Sequence, residues 1–469
     1  MTPDALSLEL PDLCEDSNLS RAEVANRLSV IRQCRPEDGL QLLLELLISL
    51  NRSQLTLLER QRLLQNLCDE YRRYMARLSE DTRHCHALLG LCGEMATGFK
   101  RLAQQVLQGR RPSVPHLAWC FYMALHFLAR QLLLHYQCYQ EPPASLWRDS
   151  HRLYWLGEQQ QCLDEPVAAA FQPSPAGTLR GLYQQMLLLA LSNPFHLAEG
   201  EISQLFAALA PHAALARLLP WDNGDEDDAL LIDLTSDRAF LARAEAGGGE
   251  TDAGTLRCFE PGALLVALGE PAPLQSQHEI QLLERVSRHW QGREQRRHER
   301  TESVSRCTLV AGLTEIHAHL LDSGPKTGEA RILDASPGGA RLLYTKDAGA
   351  DLQIGQLVLL NGSSRFLGLI CWRYQGQAGL HLGLRYLKGL PRPVWLRRAP
   401  AAQAHPGILQ STPEPGNGWH HGLWLPNDQF ATGEALWLQM ADHSAGTRLS
   451  LPESNLKTPT VTRHPLLLS

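Results

Sequence analysis

Four arginines lie within eight residues near the middle of the chain, at Arg293, Arg296, Arg297 and Arg300. A guanidinium group can form two parallel hydrogen bonds to phosphate oxygens, bind the O6 and N7 edge of guanine, or stack on a purine ring. Lysine offers only a point charge and cannot replace that combination. The cluster therefore predicts a local binding site for an anionic ligand.

A second motif, Asp-x-Ser-x-x-Gly, follows at Asp334, Ser336 and Gly339. Its carboxylate can accept hydrogen bonds, its hydroxyl can donate or accept one, and its glycine lets a ligand approach the backbone and tolerates positive φ. Either motif alone is common on protein surfaces. Their order is far more specific, because the arginines come just before a run of predicted β-strands and the second motif falls on an early strand and its turn.

The order of the two motifs resembles that of the PilZ domain family. The resemblance covers roughly residues 291–398. Within that range it is not limited to the two motifs, because segments 367–373 and 381–386 are similar to paired late strands of the PilZ barrel. PilZ domains bind the bacterial second messenger cyclic di-GMP, so the resemblance implies a receptor for that ligand. The residues that it assigns to ligand binding are Arg296, Arg297, Arg300, Asp334, Ser336 and Gly339.

The register of the arginine motif stays open, because two pairs have the family spacing RxxxR. Arg296 with Arg300 is preferred over Arg293 with Arg297 since it lies nearer the barrel, and Arg297 then acts as a helper. In the family, the residue before the first motif arginine influences whether one ligand or a stacked ligand dimer binds. Here that residue is Gln295, which leaves the stoichiometry open.

The chemistry of the motif residues suits cyclic di-GMP, which carries two phosphodiester charges and two guanines. The arginines can hold both kinds of group, and the carboxylate of Asp334 can accept from guanine N1–H and N2–H₂, which distinguishes guanine from adenine. If the arginine segment becomes ordered over a ligand bound at the strand motif, that ordering is a ready conformational switch.

The first 219 residues are predicted to form an all-helical interaction domain, because apolar residues recur at spacings of three and four. Its faces must pack as a bundle or a solenoid-like stack, and this half is expected to bind an unidentified protein partner. Output through type IV pili, motility or surface attachment follows from the family resemblance. The predicted helical segments are 20–34, 38–50, 54–78, 84–108, 115–139, 145–160, 175–192 and 196–214.

The remaining chain is predicted to be mostly β, so the fold class is α+β and multidomain: the helical domain, then a small antiparallel β-barrel with a β-containing extension. Residues 220–290 form a β-rich connector with a linker helix at 276–290, residues 291–399 the barrel, and residues 400–469 a proline-rich linker at 400–418 and the extension. The predicted strands are 229–234, 239–244, 255–259, 264–268, 307–313, 315–321, 328–334, 339–344, 356–360, 366–374, 379–386, 422–425, 435–440 and 447–451. The last three are expected to pack on the barrel or join the strands of 229–268.

Composition limits the possible partners and compartments. Forty-four basic against fifty acidic residues give a formal net charge of −6, so no whole-chain field attracts a nucleic acid polymer or an anionic membrane. The most apolar stretch, 117–136, contains His126, Arg130 and His135, and we expect a buried helix rather than membrane insertion. The eleven cysteines form no CxxC pair and the amino terminus lacks a secretion signal, so the expected location is the cytoplasm.

No motif indicates catalysis, a cofactor or a metal ion. His84, Cys85, His86 and Cys92 have metal-ligating side chains, but adjacent residues on a helix cannot all face one ion. The sequence 145–154 contains Ser, Asp and His without any indication of triad geometry. We therefore expect a receptor that is not an enzyme. Two alternatives remain: a structural adaptor whose barrel binds no ligand, and a nucleotide-processing enzyme with its site in the helical half.

Overall fold

The computed structural model describes residues 7–14, 19–78, 85–167, 177–221, 230–241, 253–268, 276–290, 299–321, 328–344, 352–362, 365–413, 419–441 and 445–466. The chain divides into two compact units. Unit 1 comprises Met1–Pro194 and Gly200–Glu294, and unit 2 comprises Phe195–Glu199 and Gln295–Ser469.

Unit 1 confirms the prediction of a helical amino-terminal half. Its helices begin at local capping groups where the sequence offers them: the Ser20 hydroxyl accepts from the amide of Glu23 in α1, and Thr178 caps α7 in the same way. The helices of this unit are α1 (Arg21–Gln33), α2 (Pro36–Arg52), α3 (Leu57–Leu78), α4 (Cys85–Leu107), α5 (Val114–Gln137), α6 (Ala144–Gln159), α7 (Leu179–Leu191), α8 (Glu201–Leu209), α9 (Gly262–Leu268) and α10 (Gln277–Trp290).

Helix α5 forms the centre of unit 1. It is long and apolar enough to cross a bilayer by length and composition, but 78% of its most apolar window is buried inside the structure. The ring of Phe127 on α5 stacks on Phe99 of α4 at 5.8 Å and meets Tyr71 of α3 edge-on at 5.0 Å. The apolar stretch of the sequence is therefore accounted for by packing against neighbouring helices, as we expected.

A small antiparallel sheet completes unit 1. It contains β1 (Arg217–Pro220), β2 (Leu230–Asp233) and β3 (Leu256–Glu260) in the order β1-β3-β2. Two strand predictions in this region were wrong: 264–268 belongs to helix α9, and 239–241, the described part of segment 239–244, is not a strand. A short apolar run does not by its periodicity distinguish a strand from a buried helix, which is the reason for the first error.

Unit 2 confirms the predicted barrel. Six antiparallel strands close in the order β4-β5-β6-β9-β8-β7, and closure leaves no free sheet edge. The prediction of a strand at 315–321 was wrong, because this segment is helix α11 (Leu313–Leu320), whose Ile316 is fully buried. The barrel strands are β4 (Thr301–Ala311), β5 (Gly328–Ser336), β6 (Gly339–Tyr344), β7 (Leu357–Asn361), β8 (Arg365–Gly376) and β9 (Gly379–Leu387).

A seven-stranded sheet follows the barrel within unit 2. The predicted extension strands belong to this sheet rather than to the small sheet of unit 1, and Trp424 and Val461 of the seven-stranded sheet pack against barrel residues such as Leu357. The predicted linker 400–418 was wrong over 405–413, which forms a central strand of the sheet. Its strands are β10 (Leu390–Arg397), β11 (His405–Pro413), β12 (Trp419–Pro426), β13 (Ala435–Met440), β14 (Gly446–Ser450), β15 (Leu456–Lys457) and β16 (Val461–Leu466), in the order β14-β13-β10-β11-β12-β16-β15.

Candidate functional site

Antiparallel pairing of β4 with β5 brings the two sequence motifs together. Thr301 lies opposite Ala335 and Glu302 opposite Asp334, so the residue just before β4 arrives beside the end of β5. The two motifs are separated by more than thirty residues in the chain, and only this strand register makes them neighbours. The barrel therefore positions Arg300 next to the Asp-x-Ser-x-x-Gly motif.

Arg300 and Asp334 form an ion pair at the mouth of this arrangement. Arg300 Nη1 donates to Asp334 Oδ1 at 2.6 Å, and the two side chains are 28% and 22% exposed. A charge-assisted hydrogen bond of this length fixes both side chains in a half-exposed position.

Ser336 organises the turn between β5 and β6. Its hydroxyl oxygen accepts from the amide of Gly338 at 3.3 Å and lies 3.4 Å from the carbonyl oxygen of Gly339. The amide of Tyr386 in β9 donates to the carbonyl oxygen of Gly338 at 2.9 Å and ties the turn to the neighbouring strand. The serine of the motif thus stabilises the loop that a ligand at Asp334 would contact.

Gly339 has a packing role that the sequence did not reveal. A Cβ at this position would overlap the carbonyl oxygen of Leu384, so β6 and β9 can approach as they do only because residue 339 is glycine. Gly339 is not among the described glycines with positive φ. The positive φ that this position was expected to tolerate is therefore not used, and close approach of another backbone explains the residue type.

A row of side chains crosses the outer face of the barrel from the ion pair. Asp334 lies opposite Arg341, Arg341 opposite Gly383, and Gly383 opposite Trp372. Directly opposed residues share one face of a sheet. Leu342, the neighbour of Arg341, is fully buried, so alternation along β6 places Arg341 on the outer face.

Arg341, Trp372 and Arg385 are additional polar or aromatic residues of this surface that the motif search missed. A Cβ on Gly383 would overlap the indole of Trp372, so the ring lies across the glycine. Arg385 is exposed opposite Gly339. Arg341 could have been predicted from the sequence, because residues two apart on a strand lie on the same face and Arg341 is two residues after Gly339.

Arg341 is held by His381 on the adjacent strand. Arg341 Nη2 donates to His381 Nδ1 at 3.3 Å, and its buried Nε has no hydrogen-bond partner among the described residues. Burial, together with the charge of Arg341, lowers the pKa of His381. A neutral imidazole at pH 7 can accept from the guanidinium and leaves its positive charge uncompensated there.

The other arginines of the cluster lie outside the described residues. This applies to Arg296 and Arg297, and also to Arg293 of the alternative register. On the near side of this segment, Trp290 at the end of α10 is 4% exposed and donates from Nε1 to Ser192 Oγ at 3.0 Å within unit 1. The arginine segment thus connects a helix anchored in unit 1 to the first strand of the barrel in unit 2.

The residues that the sequence analysis considered and rejected as metal ligands or catalytic groups pack inside unit 1. Cys85 forms a disulfide with Cys138, which the cysteine spacing did not predict, and Cys92 lies 3.4 Å from the Tyr71 hydroxyl. Among the described residues, no group of three or more His, Cys, Asp or Glu side chains could hold a metal ion. His151 is fully buried, between the Tyr183 hydroxyl and a backbone carbonyl.

Comparison with known families assigns a relationship to the helical half. Residues 22–222 match the family model described as the N-terminal domain of the cyclic-di-GMP receptor FimW. The matched range covers α1 to α8 and the first strand of the small sheet, and it ends before the barrel. A search of curated proteins gave no match to the chain.

Proposed function

We propose that this protein is a cyclic di-GMP receptor that is not an enzyme, with a PilZ-like barrel that binds the dinucleotide and a helical unit that binds a protein partner. The observation that carries the proposal is the ion pair between Arg300 and Asp334, which joins the two motifs on the barrel. The match of residues 22–222 to the N-terminal domain of a cyclic-di-GMP receptor supports it independently, because that range contains neither motif.

Each motif residue has a role in this proposal. Arg300, with Arg296 and Arg297, holds the phosphodiesters and the guanine O6 and N7 edge, while Asp334 accepts from guanine N1–H and N2–H₂. Ser336 keeps the turn in shape and offers its hydroxyl to the ligand, and Gly339 lets β6 approach β9 beneath the site. No cofactor or metal ion takes part.

The surrounding charges favour a small dianion. Arg300, Arg341 and Arg385 face the same outer surface. Two carboxylates share it: Asp334, opposite Arg341, and Glu302, opposite Asp334. The excess of guanidinium groups is local, since the whole chain is acidic. Trp372 adds an aromatic ring at the far end of the row, where its indole lies across Gly383 and 6.5 Å from the ring of His196.

Ligand binding can be sensed outside the barrel through the chain connection. A ligand held by Arg296, Arg297 and Arg300 would fix the segment between Trp290, which is anchored in unit 1, and β4. The helical unit would then change its affinity for a protein partner in the cytoplasm, with type IV pili, motility or surface attachment as the output.

Calorimetric titration of the full chain tests this function. We expect binding of cyclic di-GMP at micromolar or tighter concentrations and at least tenfold weaker binding of cyclic di-AMP, because Asp334 would face an adenine edge that lacks N1–H. Absence of heat at tens of micromolar ligand would instead support the structural adaptor. Chromatography of the incubated ligand separates a receptor, which leaves it intact, from a nucleotide-processing enzyme.

A further inference from the structure

An extended segment near the start of the sequence lies along the helices of unit 1. Residues 7–14, called the strap below, contain no helix or strand. Lys100 Nζ donates to the carbonyl oxygen of Glu9 at 3.1 Å, and Arg101 donates to the carbonyl oxygen of Pro11. Two adjacent residues of α4 therefore bind alternate carbonyl groups of the strap. Because these contacts are to the backbone, they do not depend on the side chains of the strap.

An acidic side chain of the strap is also recognised. Glu9 Oε1 lies 2.8 Å from Arg152 Nη1 and 3.4 Å from Arg148 Nη1, both on α6. The hydrogen bond from Arg152 is the main cause that lowers the pKa of Glu9. Glu9 is thus ionised in its place, and a neutral residue there would leave the Arg152 guanidinium without its carboxylate.

The groove under the strap, formed by α4 and α6, contains more positive charge than its own residues neutralise. Lys100, Arg101, Asp149 and Arg152 are 5%, 7%, 7% and 8% exposed. Lys100 pairs with Asp149 at 2.6 Å, which leaves the two buried arginines for the strap. A buried cation without a counter-charge is costly. The groove is therefore built for an occupant that brings carboxylates.

The strap does not fill this groove. A cavity of about 720 Å³ remains beside the strap, on the Lys100 side of the groove, where Leu128 of α5 and Asp149 of α6 contribute to its wall. The Oδ1 atom of Asp149 is buried and has no hydrogen-bond partner in the part of the chain that the structure describes. A peptide with larger apolar side chains would fill this cavity better than the strap does. One more hydrogen-bond donor on that peptide could bind the Oδ1 atom of Asp149.

We propose that the groove between α4 and α6 is a docking site for an extended acidic peptide segment of a partner protein, which competes with the strap. The strap occupies the site in cis, and its sequence, with leucines alternating with an acid and followed by proline, shows the chemistry that the groove accepts. The groove residues lie within the range 22–222, and the strap precedes it. The inference does not depend on ligand binding at the barrel.

Fluorescence anisotropy with a labelled peptide of residues 7–13 tests the proposal on the full chain. The strap variant Glu9→Ala, Leu10→Ala weakens the cis occupant, and we expect it to bind the peptide at least tenfold more tightly than the wild type does. A peptide with Glu9→Gln and Asp12→Asn should bind at least tenfold more weakly. Adding Arg148→Glu to the strap variant should also weaken peptide binding at least tenfold. Adding Arg72→Glu, on the surface of α3, to the same variant is the control and should leave peptide binding unchanged.

Three results would overturn the proposal. They are no binding to the strap variant at several hundred micromolar protein, equal affinity for wild type and strap variant, and equal affinity for the acidic and neutral peptides. Circular dichroism of each variant establishes that it is folded. Light scattering measures the molar mass and tests whether the occupant is instead a second copy of the chain. A wild-type dimer that dissociates in the strap variant would mean that each strap binds the groove of the other copy.

Discussion

Arg300 is the residue on which the proposed ligand site depends most directly. Asp334 accepts from Nη1 of its guanidinium, and the side chain is 28% exposed, so one contact positions the side chain and the other N–H groups can bind an anion. The sequence assigned Arg300 a role by spacing, and the strand register gives it a partner. Arg341 and Arg385 could not be found in this way because they belong to no motif and share a surface only after β5, β6 and β9 pair.

Ser336 offers a test of the turn at the level of one hydroxyl group. Ser336→Ala removes the acceptor of the Gly338 amide, so we expect a loss of about 1 kcal/mol in the free energy of unfolding of the barrel. Urea denaturation measures it. Ser336→Thr retains the hydroxyl and is the matched control. An alanine variant as stable as the wild type would show that the hydroxyl does not stabilise the turn.

Pairing between elements, rather than local sequence, determines where the site forms. Motif order and period-two patterning are local properties of the sequence, and they predicted strands at 307–313 and 328–334 but not the pairing of β4 with β5 that joins the two motifs. Segments 264–268 and 315–321 were wrongly predicted as strands: the first is a short apolar run, and the second alternates polar with apolar residues over most of its length, although both are helical in the structure. Strand β11 was missed because its prolines made it look like a linker, although Pro406 and Pro413 lie near its ends.

Gly339 tests the contact between β6 and β9. Gly339→Ala introduces a Cβ that would overlap the Leu384 carbonyl oxygen, and this oxygen belongs to the backbone, which cannot easily move aside. We expect the variant to lose about 1–3 kcal/mol in the free energy of unfolding. Gly362→Ala is the control, since its Cβ would make ordinary contacts with the Cys307 Cβ at 3.6 Å and the Arg306 carbonyl oxygen at 4.0 Å. Thermal unfolding compares the two. Equal melting temperatures would contradict the packing role of Gly339.

The buried histidine between α6 and α7 makes the helical unit sensitive to acid. Burial lowers the pKa of His151 to about 4 from an ordinary value of 6.5. In the unfolded chain His151 binds a proton below about pH 6.5, whereas in the folded chain it does so only below about pH 4. The free energy of unfolding therefore decreases as the pH falls through this window.

Urea denaturation followed by far-ultraviolet circular dichroism measures this dependence between pH 7 and pH 4. The wild type should lose up to about 3 kcal/mol more stability over the window than His151→Gln, in which the titrating group is gone. Parallel pH profiles for the two proteins would show that His151 is not protected from protonation in the folded unit.

At the scale of the whole molecule, the arginine segment leads from α10 of unit 1 to β4 of unit 2, and the two units have different proposed tasks. Unit 1 carries the match to the N-terminal domain of a cyclic-di-GMP receptor and the peptide groove, and unit 2 carries the barrel site. A chain with a formal charge of −6 thus concentrates basic residues in two places, each suited to a different acidic partner.

Hydrogen–deuterium exchange of the full chain tests the coupling between ligand binding and this connection. Saturating cyclic di-GMP should slow amide exchange in residues 291–302 and in the last turn of α10, because a ligand held by the arginines fixes the segment that follows Trp290. Slower exchange only in the turn between β5 and β6 would contradict the coupling and leave the barrel as an isolated binding site.

The most direct test of the central proposal is calorimetric titration of cyclic di-GMP into the wild type, Arg300→Ala and Arg306→Ala. Arg306 is an exposed arginine on β4, the strand that begins directly after Arg300, so the two variants remove equal charge from nearby positions in the chain. We expect Arg300→Ala to bind about 10 to 100 times more weakly, because it loses charge-assisted hydrogen bonds, and Arg306→Ala to bind within about twofold of the wild type. Unchanged affinity of Arg300→Ala would contradict the assignment of the site.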